Sequence, residues 1–240
     1  KLNLILVLVI LLVALGGTVS VKDMEDVKDK ALETMEASSR QSYDDSIKEQ
    51  VEVVISLLSE INDAYKAGTY TLDEAKKIAA DEVRQMRYGE TGYFWIDQSD
   101  GTNVVLLGSD TEGTNRMETE DAKGYKMVKE IIRVAVEDGG GYTDYVFPKE
   151  GETKPSPKRS YSEYFEPFDW VVGTGNYTDY IDTAIEKQDK VFSGYAMKKA
   201  ITLIGACVAM LVVVAVLVFM IAQDITKSLK KVVAEIEVIA

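Results

Sequence analysis

The chain has 240 residues, with 27 Lys or Arg against 40 Asp or Glu, a net charge of −13, no histidine and one cysteine. The lack of histidine excludes Ser-His-Asp and Cys-His nucleophiles and the usual zinc sites, and a single cysteine excludes an internal disulfide. The acidic balance disfavours nucleic acid and anionic lipid headgroups as partners.

Two long apolar runs predict membrane spans. Residues 2–17 are apolar except for Asn3, and residues 200–222 are apolar except for Thr202. A hydrocarbon core needs roughly 20 helical residues, which the second run supplies. We interpret the shorter first run as a signal anchor, with residues expected upstream; the alternative is the core of a signal peptide. The predicted organisation is a truncated first transmembrane helix (1–18), an extracytoplasmic domain (19–199), a second transmembrane helix (200–222) and a linker (223–240).

The orientation follows from the charges beyond the second span. Lys227, Lys230 and Lys231 favour a cytoplasmic C-terminus, so both ends are expected inside and the intervening domain outside. The localisation predicted is therefore the cell membrane, multi-pass. Residues 223–240 carry as many basic as acidic side chains, so removing them together with Lys1 leaves the outer segment at −14.

The first part of the outer segment has the apolar spacing of helices. A long helix is predicted from about residue 19 to 67, with a break allowed near Ser38-Ser39 and an end at Gly68. A helix of that length leading out of the membrane indicates a dimerising stalk. Thr71 and Glu74 then form a capping box that opens a helix over about 72–87.

The remainder alternates between strand and helix patterns. Apolar and β-branched runs, separated by Gly, Pro and Asp, predict about five antiparallel strands with helices packed on them, an α+β fold. One loop is predicted to hold Pro148, Pro155 and Pro157. The strands are predicted at about 92–97, 104–107, 142–147, 159–165 and 170–175, with a helix over 124–136 and another from Asn176 into the second span.

The strand Gly92-Tyr93-Phe94-Trp95-Ile96-Asp97 is the most distinctive stretch. Tyr93 and Trp95 point to one face of such a strand, and Phe94 and Ile96 to the other. An aromatic pair with a hydroxyl and an indole N–H suits an apolar wall that still forms hydrogen bonds. The alternative is an ordinary buried strand.

Several motifs resemble one known family, the single Cache sensory domain of bacterial methyl-accepting chemotaxis receptors. The resemblance covers most of residues 20–199, and Asp224-Ile225-Thr226-Lys227-Ser228-Leu229 resembles the opening of a HAMP linker. The motifs are Arg87-Tyr88-Gly89, Gly92-Tyr93-Phe94-Trp95-Ile96, Gly113-Thr114-Asn115, Gly139-Gly140-Gly141-Tyr142, Lys158-Arg159-Ser160-Tyr161 and Phe168-Asp169-Trp170-Val171-Val172-Gly173-Thr174-Gly175-Asn176-Tyr177.

The resemblance implies a PAS-like sheet with a long N-terminal helix, lying between two transmembrane helices, and a small-molecule pocket on the sheet. In relatives that bind small carboxylates, an Arg, aromatic residues and a Lys line that pocket. Leu107 stands where those relatives often carry His, which would leave room for an apolar part of the ligand. Carried over residue by residue, the ligand-binding set is Arg87, Tyr88, Tyr93, Trp95, Leu107, Tyr145, Lys158 and Tyr161.

Each candidate has a plainer alternative. Arg87 and Lys158 could be paired surface charges, which is the usual state of a basic residue in an acidic domain. Asp97 and Asp179 could bind an amine, but carboxylates are common at strand and helix ends. PAS-like folds also house haem or flavin; without His, and without Cys outside the second span, no cofactor and no metal are expected.

These observations predict a transmembrane chemoreceptor that binds a small, carboxylate-bearing organic ligand outside the cell. It is expected to act as a homodimer in the membrane, with cytoplasmic signalling partners reached through a region beyond Ala240. An alternative is the input region of a sensor histidine kinase or nucleotide cyclase. Two others are a membrane-anchored enzyme that uses Asp97 or Asp179 as acid and base, and a structural ectodomain.

Overall fold

The computed structural model of the chain describes residues 2–149 and 151–239. Most side chains among the first 21 residues, and all those after Lys231, lie outside what the structure describes. The chain divides into two compact units, Lys1–Thr34 with Ile185–Ala240, and Met35–Ala184. The second unit contains the sheet and the candidate site.

Within the described residues the chain forms four α-helices and six strands. The helices are α1 (Leu2–Lys66), α2 (Leu72–Gln85), α3 (Met127–Glu137) and α4 (Asp179–Ile239). The strands are β1 (Arg87–Tyr88), β2 (Gly92–Gln98), β3 (Asn103–Leu106), β4 (Gly141–Pro148), β5 (Pro155–Phe165) and β6 (Trp170–Tyr177), and a short 3-10 helix covers Glu166–Phe168.

The helix ends follow the local chemistry of the sequence. Helix α1 runs through Ser38-Ser39 without the break that the sequence allowed, and it stops before Gly68, whose φ of 79° is left-handed. The capping box of α2 is confirmed, because the Thr71 hydroxyl accepts from the Glu74 N–H while the Glu74 side chain accepts from the Thr71 N–H.

All six strands lie in one antiparallel sheet with the order β1-β2-β6-β5-β4, and β3 pairs with β2. Strands β1 and β3 lie along the same edge of β2, where β1 pairs with residues 92–93 and β3 with residues 95–97. Strand β6 pairs with residues 94–98 along the other edge of β2. The last strand of the chain is therefore central, between the two halves of the sheet. The predicted α+β class with an antiparallel sheet and a long N-terminal helix is confirmed.

The two faces of the sheet are covered differently. On one face, Asp44 of α1 pairs with Arg159 of β5, and Tyr43 donates to the same strand and accepts from the Asn176 N–H of β6. On the other face, α3 packs on a cluster of buried residues. That cluster contains Trp95, Met127, Val128, Ile131, Ile132, Ala135, Tyr145 and Val171.

The three prolines placed by the sequence in a loop belong to strands instead, and that expectation was wrong: Pro148 ends β4, while Pro155 and Pro157 lie in β5. The Pro157 carbonyl accepts a hydrogen bond from the Thr178 N–H. The backbone of Pro157 therefore directs its hydrogen-bonding groups away from β4. Strand β6 ends at Tyr177, so no strand needs the N–H that proline lacks.

One described helical stretch, Asp179–Lys231, is long and apolar enough to cross a bilayer, with a mean hydropathy of 3.1 over its most apolar window. The second predicted span, residues 200–222, lies inside it. Most side chains of the first predicted span, residues 1–18, lie outside the described residues, so that span stays a prediction. The same holds for residues 223–240 as the start of a HAMP linker.

Candidate ligand-binding site

A cavity of about 250 Å³ lies on the α3 face of the sheet, closed on one side by the loop that follows β3. Its lining is mainly aromatic and aliphatic, with two cationic side chains and two small hydroxyls. The lining residues are Tyr93, Trp95, Leu106, Leu107, Ser109, Thr111, Arg116, Met127, Val128, Ile131, Tyr145, Phe147 and Lys158.

Lys158 is the distinctive polar group of this cavity. Only 3% of the residue is exposed, and its ammonium donates a hydrogen bond of 2.9 Å to the Tyr93 hydroxyl. The same nitrogen stands 4.7 Å from the ring centroid of Tyr93, 5.6 Å from that of Trp95 and 5.4 Å from those of Phe147 and Tyr177. Within residues 2–149 and 151–239, no carboxylate forms a salt bridge with it. Aromatic faces attract a cation but do not neutralise it, so the charged form of Lys158 has no counter-ion among the described residues.

The protonation of Lys158 depends on the contents of the cavity. Burial, followed by repulsion from Arg116, lowers the pKa of its ammonium from 10.5 to about 7. A pKa in this range allows the group to change between ammonium and amine near neutral pH. A bound anion would favour the charged form and draw a proton onto the nitrogen.

The second cation of the lining, Arg116, is held by a buried acid. Its Nε lies 3.0 Å from Oδ1 of Asp97 and its Nη2 lies 2.5 Å from Oδ2. The Asp97 residue is completely buried, and its Oδ1 also accepts from the Asn103 amide at 2.9 Å. This two-point pairing fixes the guanidinium plane, and it leaves Asp97 unable to serve as a free acid, base or amine ligand.

The aromatic wall depends on a glycine in the central strand. Trp95 is paired in register with Gly173, and its ring lies where a side chain at Gly173 would stand: an added Cβ would be 2.5 Å from Cε2. The indole is 3% exposed, and its Nε1 has no hydrogen-bond partner among the described residues. The ring therefore forms part of the cavity wall with a donor still to be satisfied.

The loop after β3 is shaped by one carboxylate. Glu112 accepts from the N–H groups of Leu106 and Gly108, at 2.7 and 2.8 Å, and from Arg84 Nε of helix α2 at 2.9 Å. Burial alone would raise the pKa of Glu112, but these donors hold it below the usual range. Leu107 lies between the two residues whose N–H groups donate to Glu112, and its φ of 57° is strained for a branched side chain. Glu112 therefore anchors the part of the loop that covers the cavity.

We expect Glu112→Gln to lower the free energy of unfolding by about 1–2 kcal/mol, because two backbone donors and a guanidinium lose a charged acceptor. The ligand dissociation rate should rise as the loop loosens. Thermal unfolding followed by tryptophan fluorescence measures the first effect, since both tryptophans of the chain, Trp95 and Trp170, lie in the sheet.

The matched control for this change is Glu118→Gln. Glu118 is also a loop acid in an ion pair, with Lys126, but its side chain is 71% exposed. A surface pair of that kind contributes little, so the control should stay within about 0.5 kcal/mol of the wild type. Equal losses in the two variants would contradict the anchoring role of Glu112.

One protein-family model matches the part of the chain that contains the sheet. Residues 39–190 match the model of the family described as Single Cache domain 2. The chain belongs to the single Cache domain family. The resemblance seen in the sequence motifs is confirmed, and so is the PAS-like fold that it implied.

Two curated relatives are similar to this chain. The methyl-accepting chemotaxis protein McpP of Pseudomonas putida is 28% identical over 167 residues, covering 69% of this chain and 28% of the relative. The sensor histidine kinase MctS of Rhizobium johnstonii is 30% identical over 150 residues, covering 62% and 32%. The chain thus spans about a third or less of the length of these relatives.

A solved structure, described as the structural basis for carboxylic acid recognition by a Cache chemosensory domain, has the same fold. It superimposes with a TM-score of 0.56 at 24% identity, covering 59% of this chain and 97% of the solved one. At that identity the likeness concerns the fold.

The structure brings together five of the eight residues that the sequence assigned to ligand binding. Tyr93, Trp95, Leu107, Tyr145 and Lys158 all line the cavity. Tyr145 and Lys158 are register partners on β4 and β5, and Lys158 is paired in turn with Tyr177 of β6. Their contact with a ligand stays a prediction, but the Cache sheet places them around one space.

The other three residues lie outside the lining of this cavity. Arg87 is exposed, and its guanidinium donates to the carbonyls of Arg84 and Met86. Tyr88 forms a hydrogen bond of 2.8 Å with the Thr174 hydroxyl.

Tyr161 donates to Glu163 on the opposite face of β5. Because strand residues alternate between faces, Lys158 and Tyr161, three apart, cannot share one.

Arg116 is the charged lining residue that the sequence reasoning missed. It directly follows the Gly113-Thr114-Asn115 motif, which was noted only as a point of resemblance. A signal was available, because an arginine next to a turn motif in a strongly acidic domain needs a partner. Only the fold, however, brings it to Asp97.

No group of three or more His, Cys, Asp or Glu that could hold a metal ion is found within the described residues. The two cationic side chains of the cavity would also repel a metal ion. The expected absence of a cofactor stays a prediction.

Proposed function

We propose that the chain is the sensory and membrane part of a bacterial receptor whose Cache domain binds a small carboxylate outside the cell. The proposal rests above all on one observation. Lys158 is a buried ammonium among aromatic rings, at the wall of a cavity, with no acidic partner among the described residues. Burying such a cation is costly unless a ligand anion compensates it.

The size and lining of the cavity support a small ligand. Its volume of about 250 Å³ is below the roughly 300–1,000 Å³ usual for drug-sized ligands. Trp95, Tyr145 and Val128 surround the space with apolar surface, while Ser109 and Thr111 add hydroxyls at the loop side. A short acid with an apolar or hydroxylated tail fits this lining. The solved Cache structure described above as recognising carboxylic acids supports the same ligand class.

The output is proposed from the names of the relatives. Matching a methyl-accepting chemotaxis protein supports a chemoreceptor, and matching a sensor histidine kinase supports a kinase input region as the second candidate. Both relatives extend far beyond the matched region. The Cache domain would serve either output in the same way, by biasing one of two states through a coupling on the order of 1–3 kcal/mol.

A membrane location and a dimer complete the proposal. The apolar stretch within Asp179–Lys231 would anchor the chain, with the Cache domain outside the cell. In the unit that contains this stretch, Val27 of α1 and Tyr195 of α4 are large apolar residues more than 60% exposed. Exposed apolar side chains on helices next to a membrane suit pairing with a second copy.

The two carboxylates that the enzyme alternative would use as acid and base are both held in ion pairs. Asp97 is paired with Arg116, and Asp179 accepts from Lys149 at 2.6 Å. Neither lines the cavity.

Calorimetric titration of the chain in lipid nanodiscs tests the proposal. A panel of short carboxylates, with the corresponding alcohols, amides and amines as matched controls, should give binding only for the acids. Binding should be accompanied by proton uptake at pH 8, seen as a heat that depends on the ionisation enthalpy of the buffer, because Lys158 gains a proton. A panel in which the amines bind and the acids do not would refute the assignment.

A further inference from the structure

We propose that Asp97 sets the charge of the accepted ligand: by pairing with Arg116, it confines the cavity to ligands with a single negative charge. This inference rests on the proposed function, namely that a carboxylate binds beside Lys158. It assigns a role in ligand selection to a residue that does not itself line the cavity.

The geometry places the acid behind the arginine. Arg116 lines the cavity and its side chain is 12% exposed, whereas the Asp97 side chain is completely buried. Nε and Nη2 of the guanidinium are both used on the carboxylate. Asn103 also donates to Oδ1 of this carboxylate, and the same amide nitrogen donates to the Ile96 carbonyl at 3.1 Å. The pair is thus fixed, and the guanidinium cannot turn fully towards a ligand.

The charges of the site then fix the charge of its occupant. Among the described residues, Arg116 and Lys158 are the only ones in the lining whose side chains carry a positive charge, and Asp97 cancels one of them. With Lys158 protonated, a net charge of +1 remains. One carboxylate neutralises it, while the second carboxylate of a dicarboxylate would have no free cation to pair with among the described lining residues.

A purely structural role for the Asp97–Arg116 pair leads to a different expectation. A pair that only held the loop in place would weaken the binding of every ligand by a similar factor when broken. A pair that selects charge would change the ratio of affinities between a monocarboxylate and a dicarboxylate. The affinity ratio is therefore the quantity to measure.

Propionate and malonate are suitable probes, because they have the same three-carbon chain and differ in the number of carboxylates. Titrations use the full chain in nanodiscs at pH 7. We expect the wild type to bind propionate at least tenfold more tightly than malonate, and Asp97→Asn to reverse this preference. Asp97→Asn/Arg116→Met should prefer propionate again, because the released cation is gone.

Asp179→Asn is the matched control, since Asp179 is also an acid in a close ion pair, with Lys149, but lies outside the cavity lining. Its affinity ratio should equal that of the wild type. Two results would overturn the role of Asp97 without affecting the proposed function. One is an Asp97→Asn variant that binds propionate with the same propionate-to-malonate affinity ratio as the wild type, and the other is a wild type that binds the two acids equally well. Binding of neither acid by the wild type would instead count against the proposed function.

The variant Asp97→Asn leaves an unpaired guanidinium and could unfold. In that case tryptophan fluorescence with each probe present gives the answer, because a ligand that binds only the folded state stabilises it by mass action. Recovery of the folded signal by malonate at concentrations where propionate has no effect would support the proposal. Equal recovery by the two acids, or none, would overturn it.

Discussion

We expect Lys158→Met to make the empty domain more stable while reducing carboxylate affinity at least a hundredfold. The two effects have one cause. The ammonium is buried without a counter-ion among the described residues, so an apolar side chain of similar length removes a desolvation cost, on the order of 1–3 kcal/mol. The same change removes the charge that attracts the ligand anion.

The pH dependence gives a second check on Lys158. With its pKa lowered to about 7, the folded state loses a proton that the unfolded chain keeps up to about 10.5. The unfolded state therefore binds more protons in this interval, and the free energy of unfolding should rise from pH 7 to 9. In Lys158→Met this part of the slope should disappear. Carboxylate affinity of the wild type should fall over the same interval, because the anion needs the protonated lysine.

Lys149→Met is the matched control for this lysine. Lys149 also stands over the ring of Tyr177, at 5.3 Å, but it is paired with Asp179 and about a third of its side chain is exposed. Its loss should change stability and affinity little. If Lys158→Met destabilised the empty domain and left affinity unchanged, the lysine would be a structural element and not a ligand-binding one.

The second large effect is expected from Gly173→Ala. The added methyl group would overlap the indole of Trp95, which is buried at the wall of the cavity. Overpacking of this kind costs about 1–3 kcal/mol of stability. Ligand affinity should fall at least tenfold as well, because the displaced ring occupies the binding space.

A double variant separates steric overlap from a backbone effect. In Trp95→Phe/Gly173→Ala the smaller ring leaves space for the methyl group, so stability should recover relative to Gly173→Ala alone. Gly194→Ala, in helix α4, where an added Cβ meets nothing within 4 Å, should leave affinity unchanged. Thermal unfolding and calorimetric titration measure these changes. Equal stability of the single and double variants would show that the glycine is needed for another reason.

Much of the fold could be predicted because the sequence agrees with it locally. The capping box at Thr71, the alternating aromatic strand from Gly92 and the break at Gly68 each use chemistry confined to a few neighbouring residues. The error at Pro155 and Pro157 had a non-local cause: proline is tolerated there only because β6 ends early, which no local pattern reveals.

The site was less predictable than the fold, because it depends on contacts between residues that are distant in the sequence. Tyr93 and Trp95 could be found from the strand period, and applying that period to Lys158 and Tyr161 would have shown that they lie on opposite faces. The pairing of Asp97 with Arg116 joins residues 19 positions apart through a loop, and spacing alone does not predict it. The family resemblance identified the residues of the sheet that line the cavity, but not the ion pair between Asp97 and Arg116.

The position of Tyr177 has a consequence for how directly the proposed site is connected to helix α4. Its ring stands over the Lys158 ammonium at 5.4 Å, and helix α4 begins at Asp179, with only Thr178 between. The Thr178 N–H is in turn held by the Pro157 carbonyl, next to Lys158 in the chain. In the proposed receptor, the ligand site and the start of α4 would therefore share one short stretch of backbone, and a rearrangement on the scale of a single side chain would reach the helix without a relay of intermediate contacts.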